Sequence, residues 1–317
     1  MNLIALLVGL MIERLATKLF HLRQLRWLDR VIDAGFRQME RLSSLPAIIP
    51  VLLLAAALVL PVFPVIYSLS DNLYDFGEGV TLYGFPYPYM ALAIIVLFFS
   101  LGPKDIGEEV REYCRAVEGE DEEEIQRTAK ALLEKDVPSD AMERTRQVEA
   151  AVCIQANNRL FAVIFWFVVL AQYGPLGAWA YRVTDLIRRR AVFNSTRGEE
   201  AGESMQNIAE AVGKLHGLLA WIPARLTALG YALAGSFDGA IAAWRGHDSS
   251  DSDTPSEGNE NLLARVGIAA LALTARDDES VQERGVRGAL AASGLVLRLL
   301  GIWAVVIAVM TLQGSSL

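Results

Sequence analysis

The sequence predicts an all-α, polytopic helical membrane protein with a helical insert in the cytoplasm. Apolar residues lie in blocks, and four stretches contain no charged residue, namely 46–70, 79–103, 160–181 and 299–317. A helix of about 20 apolar residues crosses the hydrocarbon core of a bilayer. Residues 104–149 hold 15 Asp/Glu against 8 Lys/Arg, which accounts for nearly all of the formal charge of −8. The chain is therefore expected to contact a lipid bilayer, and no nucleic-acid partner is expected.

Residues 1–45 are predicted to form N-terminal interfacial helices. The apolar stretch 1–12 is too short to span a bilayer, and no small-residue cleavage site of a signal peptide follows it. From 22 to 39, apolar side chains recur at helical spacing while arginines fall largely elsewhere around the helix. This basic amphipathic helix either lies on the membrane surface or packs on the protein's own cytoplasmic part, and the sequence favours neither.

Residues 46–102 are predicted to form a transmembrane hairpin, with spans near 46–69 and 86–101. The loop between the spans contains Asp71, Asp75 and Glu78 but neither Lys nor Arg, whereas basic residues precede the first span and follow the second. Cytoplasmic loops carry an excess of Lys and Arg. The N-terminus and the segment after the second span are therefore expected in the cytoplasm.

Residues 103–158 are predicted to form the cytoplasmic helical insert. Asp121, with Glu124 three positions later, is typical of a helix start, because a carboxylate there meets unpaired backbone N–H groups. Another helix is expected to begin near Asp140 and to continue through Glu149 into the membrane segment at 160.

Residues 159–245 are predicted to form a broken membrane segment followed by amphipathic helices. The sequence Gly174-Pro175-Leu176-Gly177 is expected to interrupt a helix. A single outward crossing would leave the basic run 188–190 on the wrong side of the membrane. Either the segment dips in and returns as a re-entrant pair, which we slightly favour, or a later segment near 215–235 crosses back.

Two further regions complete the chain. Residues 246–261 are rich in Asp, Ser, Glu, Gly and Asn and are expected to form a disordered acidic linker. Residues 262–317 are expected to contain an amphipathic helix and a C-terminal transmembrane helix from about 288 to 312.

Familiar catalytic motifs are missing from the sequence. It has no phosphate-binding Gly-x4-Gly-Lys-Ser/Thr loop, no dinucleotide fingerprint and no His-Glu-x-x-His. Three histidines and two cysteines offer no metal-ligand spacing, so no metal site is expected, and Cys114 and Cys153 are expected to be reduced thiols. The sequence identifies no cofactor and no catalytic residue.

Ionisable residues that border or enter apolar segments are the candidate site. Charges at membrane depth are costly, and they usually face the bundle interior, pair with one another or mark a polar site. Several of them bracket the broken segment and are expected to line one cytoplasm-facing pocket for an anionic small molecule. Snorkelling or structural ion pairing remains the alternative for each residue taken alone. The candidates are Arg159, Arg182, Asp185, Arg225, Asn157, Glu149 and Glu13.

These same segments resemble the AmpE family. The resemblance runs through the whole chain in the same order and is most specific at 156–167, 174–178, 181–185 and 221–228, with Glu13-Arg14-Leu15 near the start. AmpE proteins are inner-membrane proteins linked to regulation of inducible β-lactamase. The resemblance therefore implies a regulator or sensor close to cell-wall recycling, acting through an envelope-signalling partner or as a homo-oligomer.

The AmpE family is itself similar to the CobD/CbiB synthases of cobalamin biosynthesis, membrane enzymes that form an amide bond with ATP. Where those synthases show Glu-Asn and then Asp, this chain offers Ile154, Gln155 and Asn158. An ATP-using ligase needs acidic groups to hold Mg²⁺, so these differences disfavour the enzyme. An amide-forming synthase is the second hypothesis, and a transporter is the third, although no pseudo-symmetric halves are visible.

Overall fold

The structure is a computed structural model. It describes residues 25–41, 45–71, 81–82, 85–102, 104–196, 203–247, 252, 254–274 and 276–312. The prediction of an all-α membrane fold is confirmed: the described chain is helical apart from short connections and an antiparallel pair of two-residue strands, β1 (Thr81–Leu82) and β2 (Phe85–Pro86).

The helices follow one another in this order: α1 (Arg26–Arg41), α2 (Ile48–Val59), α3 (Phe63–Asp71), α4 (Tyr87–Ser100), α5 (Ile106–Glu118), α6 (Glu122–Leu133), α7 (Ala141–Ala156), α8 (Ala162–Val169), α9 (Gly174–Thr196), α10 (Glu203–Ala234), α11 (Phe237–Arg245), α12 (Pro255–Leu271) and α13 (Val281–Leu312).

Four stretches of helix are long and apolar enough to cross a membrane: Ile48–Ser68, Ala141–Val169, Glu203–Ala234 and Val281–Val309. The first of these is the least buried, and large apolar side chains such as Leu53 and Leu60 are exposed on it. An exposed apolar helix of this length is suited to contact with lipid.

The amphipathic helix α1 lies against the rest of the protein. Its apolar positions Leu28, Ile32 and Phe36 are buried, and they pack with residues of α9 and α10 such as Ile187 and Ile208. Of the two alternatives that the sequence left open for this helix, the structure therefore shows the one in which it packs on the protein itself.

The helices α5, α6 and α7, which we call the insert, each begin at an aspartate. The side chains of Asp105, Asp121 and Asp140 accept hydrogen bonds from backbone N–H groups in the first turn of the helix that follows. The third helix continues without a break through a wider π-helical turn, Asn157–Phe161, into α8. The insert is thereby joined directly to a helix that enters the apolar part of the molecule.

The helices α8 and α9 form an antiparallel hairpin whose turn is Ala171–Tyr173. Gly174 and Gly177 begin α9 instead of interrupting it, so the predicted position of the break was wrong by about three residues. A Cβ at Gly174 would lie 2.2 Å from the Phe167 carbonyl oxygen, so the glycine is required by close packing of the two arms. The chain turns back here as the re-entrant alternative requires, and the later apolar helix Glu203–Ala234 is present as well.

The predicted disordered linker is too long. Residues 255–261 are helical because α12 begins at Pro255, where the Thr254 side chain accepts a hydrogen bond from the Glu257 N–H. Proline suits the first turn of a helix, because the backbone N–H that proline lacks would have no hydrogen-bond partner within the helix there. Ser256 and Asn259 are buried against α10, so tertiary contacts hold a segment whose composition alone indicates disorder.

Buried apolar residues form three clusters. One joins the insert to the later parts of α10–α13, a second surrounds the α8–α9 turn with α3 and α4, and a third joins α1 and α2 to α9 and α10. The most strongly charged part of the interior lies where these three clusters meet, on α9 and the π-helical turn.

Candidate functional site

Charged side chains from five elements meet beside α9. We call this group the arginine cluster, and it comprises Arg159, Arg182, Arg188, Arg189, Asp185, Glu109, Glu134 and Glu260.

The centre of the arginine cluster is Asp185, which is completely buried and contacts three guanidinium groups of its own helix. Arg182 Nη1 and Arg188 Nη2 each lie 3.0 Å from its carboxylate, and Arg189 Nε lies 2.8 Å from it. One carboxylate cannot neutralise three guanidinium groups. The buried Nε atoms of Arg182 and Arg188 also meet no acceptor among the described residues, so this part of the interior is rich in unused donors.

Arg159 enters the cluster from the π-helical turn. Its Nη1 donates to Glu109 at 2.7 Å, its Nη2 to Glu134 at 2.7 Å and its Nε to the Gln155 side-chain oxygen at 3.0 Å. The backbone of Gly102 lies directly on this side chain, because a Cβ at that glycine would stand 2.9 Å from Arg159 Cβ. Arg159 is therefore fully partnered and enclosed, and its surroundings are those of a structural ion pair.

Glu134 connects the insert to α9. One of its oxygens lies 2.7 Å from Arg159 Nη2 and 2.5 Å from Arg189 Nη1. Burial by itself would raise the pKa of Glu134, but Arg189 and Arg159 outweigh that effect and hold the pKa below its ordinary value. Burial raises the pKa of Glu260, although Arg188 opposes the shift at 3.2 Å.

A layer of neutral polar side chains lies beside the cluster. The Tyr181 hydroxyl is 3.2 Å from His216 Nε2, and His216 Nδ1 is 2.9 Å from the Ser256 hydroxyl. Asn157 accepts a hydrogen bond from Thr227 at 3.0 Å. These groups satisfy one another, which is the usual condition for buried polar side chains.

A cavity of about 540 Å³ opens on the insert side of the arginine cluster. It is lined by side chains of α1, α6, α7, α9 and α12 and by the residues just after α6, and five of them are basic: Lys130, Lys135, Arg188, Arg189 and Arg190. Three acidic residues, Asp29, Glu134 and Glu260, face the same space. With five positive and three negative groups around an apolar floor that includes Ala151 and Ile154, the cavity favours an anion.

Comparison with known proteins identifies the chain. The model of the family described as "Regulatory signalling modulator protein AmpE" matches residues 1–317. This chain belongs to the AmpE family. The resemblance seen in the sequence is thus confirmed over the whole chain.

A more distant relative is the "Cobalamin biosynthesis protein CobD" of Stutzerimonas stutzeri (strain A1501). It is 28% identical to this AmpE-family chain over 153 residues, which are 48% of this chain and 47% of that protein. The chain spans about half the length of this curated relative. No solved structure matches it.

The structure brings together only some of the residues that the sequence proposed. Arg159, Arg182 and Asp185 meet in the arginine cluster, and Asn157 lies in the neutral layer next to it. None of these four lines the cavity. They form the layer beneath it, so we expect them to position the cavity's arginines and not to touch a ligand.

Two of the proposed residues lie elsewhere. Glu149 pairs with Arg284 of α13 and not with the cluster, because it is directed to the opposite side of α7. Arg225 stacks on the Trp221 ring, with 3.9 Å from its guanidinium carbon to the ring centroid, and donates to Asn259 at 3.0 Å. Neither residue joins the arginine cluster or is among those lining the cavity, and a ligand-binding role for them stays a prediction. Glu13 lies outside the described residues.

Sequence reasoning missed the residues that line the cavity, above all Arg188, Arg189 and Glu134. The signal is the unbroken run Arg188-Arg189-Arg190, whose charges bear on anion binding as well as on topology. Gln155 is a further residue of this site that sequence reasoning missed. The resemblance places a carboxylate of the synthases near this position, and here the side-chain oxygen of Gln155 accepts hydrogen bonds from Arg159 and Arg189. Within the residues that the structure describes, no group of three His, Cys, Asp or Glu could hold a metal ion.

Proposed function

We propose that this AmpE-family protein is an inner-membrane regulator that senses an anionic small molecule in the cavity beside Arg188 and Arg189, and that the sensed molecule reports on cell-wall recycling and β-lactamase induction. The observation that carries the proposal is the excess of basic over acidic side chains around an open cavity, five against three, with two guanidinium groups of the arginine cluster among the five. Three arginines share the single carboxylate of Asp185, and two of them also face the cavity.

The chemistry of the cavity supports an anionic ligand with an apolar part. Guanidinium groups bind carboxylate and phosphate oxygens through paired N–H donors, and they do so more strongly where water is excluded. The apolar floor supplies surface for the rest of the molecule. A cell-wall fragment carrying carboxylates or phosphates has this combination of groups.

A regulatory role also depends on which side of the membrane the cavity faces. We expect the insert and the cavity to lie in the cytoplasm, in keeping with the distribution of Lys and Arg along the chain. Both native cysteines are buried, so a cysteine introduced by R127C would react by itself. In intact cells a membrane-impermeant thiol reagent should not label R127C and should label D75C; the reverse pattern would place the cavity outside.

The regulatory proposal is tested in a clean deletion strain complemented with variants. The double substitution R188A/R189A should alter β-lactamase induction or the level of soluble muropeptides to the extent that the deletion does. R127A is the matched control, because Arg127 is an exposed arginine of the insert that pairs with nearby Glu124 and is not among the residues lining the cavity. If R188A/R189A restores the wild-type response at normal protein level, the proposed sensing site is wrong.

A second candidate is the amide-forming synthase that the sequence resemblance implies, favoured by the similarity to a cobalamin biosynthesis protein over about half of the chain. Purified protein given ATP, Mg²⁺, a corrinoid acid and aminopropanol phosphate should then yield the coupled product. No product under these conditions would dispose of this activity without affecting the regulatory proposal.

A further inference from the structure

Glu134 stands at the junction between the insert and the cavity. It follows the last residue of α6 and adopts the left-handed backbone conformation, with φ of 58°. Its N–H still donates to the Lys130 carbonyl oxygen at 3.0 Å, so the residue closes the helix. The residues just after it, as far as the Asp140 cap of α7, are mostly exposed or half-buried.

The two cavity arginines have the same pattern of partners. Arg188 and Arg189 each bind Asp185 on the inner side and one further acid on the cavity side, Glu260 and Glu134 respectively. Asp185 is completely enclosed, whereas the side chains of the outer acids are 28% and 23% exposed. An incoming anion can therefore reach the outer acids' positions but not that of Asp185.

The outer acids differ in how firmly the chain holds them. Glu260 lies within α12, between buried Asn259 and buried Leu262 and Leu263, so it cannot withdraw without moving a packed helix. Glu134 lies at a helix end and is followed by a connection in which Lys135 and Asp136 are exposed and only Val137 packs on the core. Leu132 and Leu133 anchor α6 in the core independently of the Glu134 side chain.

We propose that the Glu134 carboxylate occupies the place that a ligand's phosphate or carboxylate takes on Arg189, and that binding of this anion displaces Glu134 and frees segment 134–140. This inference rests on the proposed function, because it names the chemistry and the consequence of binding at the same cavity.

Displacement requires no new charge to be buried without a partner. The incoming anion replaces one negative group on Arg189 with another, while Glu134 moves to a position that water reaches. A phosphate offers more oxygens and more charge to the guanidinium than one carboxylate does. Arg159 keeps Glu109 and Gln155 when Glu134 leaves, so the inner part of the cluster stays neutralised. Ligand binding is in this way converted into a change in the connection between two insert helices.

The test uses full-length protein purified in detergent, with inorganic phosphate and pyrophosphate as probes in a titration calorimeter. E134Q removes the internal competitor and should bind the tighter of the two probes at least about fivefold more strongly than the wild type, which is the lower end of ordinary coupling between sites. E123Q is the matched control, because Glu123 is an exposed acid of the insert that is not among the residues lining the cavity. Its affinity should equal that of the wild type.

Hydrogen exchange of the wild-type protein provides a second measurement that does not depend on a variant folding. Saturating the protein with the bound probe should speed exchange at the Glu134 amide, whose N–H donates to the Lys130 carbonyl oxygen, and leave α5 unchanged. Binding without faster exchange there, or equal affinity in E134Q and the wild type, would overturn the inference. Tighter binding of the probe to E260Q than to E134Q would also overturn the inference, because it would show that the anion displaces Glu260 instead of Glu134.

The outcomes also separate this inference from the proposed function. If R189A abolishes probe binding while E134Q matches the wild type, the cavity binds anions and Glu134 is not the competitor. If neither probe binds to the wild type or to E134Q, both the inference and the anion-sensing cavity fail.

Discussion

Two buried ionic groups on one continuous helix differ in every respect that matters for function. Glu149, in α7, meets the single base Arg284, and Gly288 covers the pair so closely that a Cβ there would lie within the contact distance of the carboxylate. Ten residues later, Arg159 enters a cluster in which arginines and acids share partners and a cavity lies alongside.

The difference shows that burial of a charge does not by itself mark a functional site. The Glu149–Arg284 pair is closed and matched one to one, and it joins α7 to α13. In the arginine cluster, Asp185 is outnumbered by guanidinium groups and two of those groups face the cavity. Shared partners, together with an accessible cavity lined by more basic than acidic side chains, distinguish a candidate ligand site from a structural ion pair.

The largest effect is expected for Asp185→Asn, which leaves three arginines without their shared carboxylate. Removing one partner of a buried ion pair costs about 4 kcal/mol, and here more than one base is affected. We expect the variant to be lost from the membrane fraction, as measured by immunoblotting. Normal amounts of stable D185N would show that the cluster is solvated more freely than its burial indicates.

A smaller loss is expected for Glu149→Met. Arg284 is 22% exposed and can turn toward water, so we expect a decrease in unfolding free energy of about 2 kcal/mol. The double variant E149M/R284M should recover most of this loss, because a buried pair can be replaced by apolar side chains at little cost. Thermal unfolding in detergent measures both values, and failure of the double variant to recover would mean that the pair has a role beyond joining two helices.

A substitution in the layer of neutral polar side chains should lower the stability of the protein without changing its affinity for phosphate. Thr227→Val removes the hydroxyl that donates to fully buried Asn157, and an unsatisfied buried acceptor costs about 1–2 kcal/mol. The thermal midpoint should fall while phosphate affinity, measured by calorimetry, stays at the wild-type value. A weaker affinity would move the boundary of the site to include this layer.

The smallest effect is expected where an ion pair is half-exposed. Asp33 of α1 binds Arg190 at 2.7 and 2.5 Å, and Asp33→Asn should lower stability by about 0.5–1 kcal/mol. The hydrogen bond from Arg190 lowers the pKa of Asp33 below 3.8. The carboxylate's contribution is therefore complete above about pH 4 and is lost as the pH falls from there through the lowered pKa. Thermal midpoints of wild type and D33N should converge at low pH; a constant difference would contradict the assignment.

Local sequence alone determined much of the fold. The charge-free stretches 46–70, 160–181 and 299–317 overlap three of the four helices that are long and apolar enough to cross a membrane, as expected because burying an unpaired charge in lipid is costly. The stretch 79–103 contains only a shorter apolar helix, and the helix Glu203–Ala234 contains charges, so this criterion did not find it. The helix starts after Asp121 and Asp140 could be predicted because a cap involves a side chain and a backbone N–H only three residues apart.

Tertiary structure decided the partners of the charges and the presence of the cavity. Arg159 meets Glu109 and Glu134 across 50 and 25 residues, and Glu149 meets Arg284 across 135. Such pairings depend on how whole helices pack, and no short-range pattern records them. The same holds for residues 255–261, whose polar composition predicts disorder but whose contacts with α10 make them helical. The sequence therefore determined which segments are helices and which residues are buried charges, and only the packing of those helices separated a structural pair from a candidate ligand site.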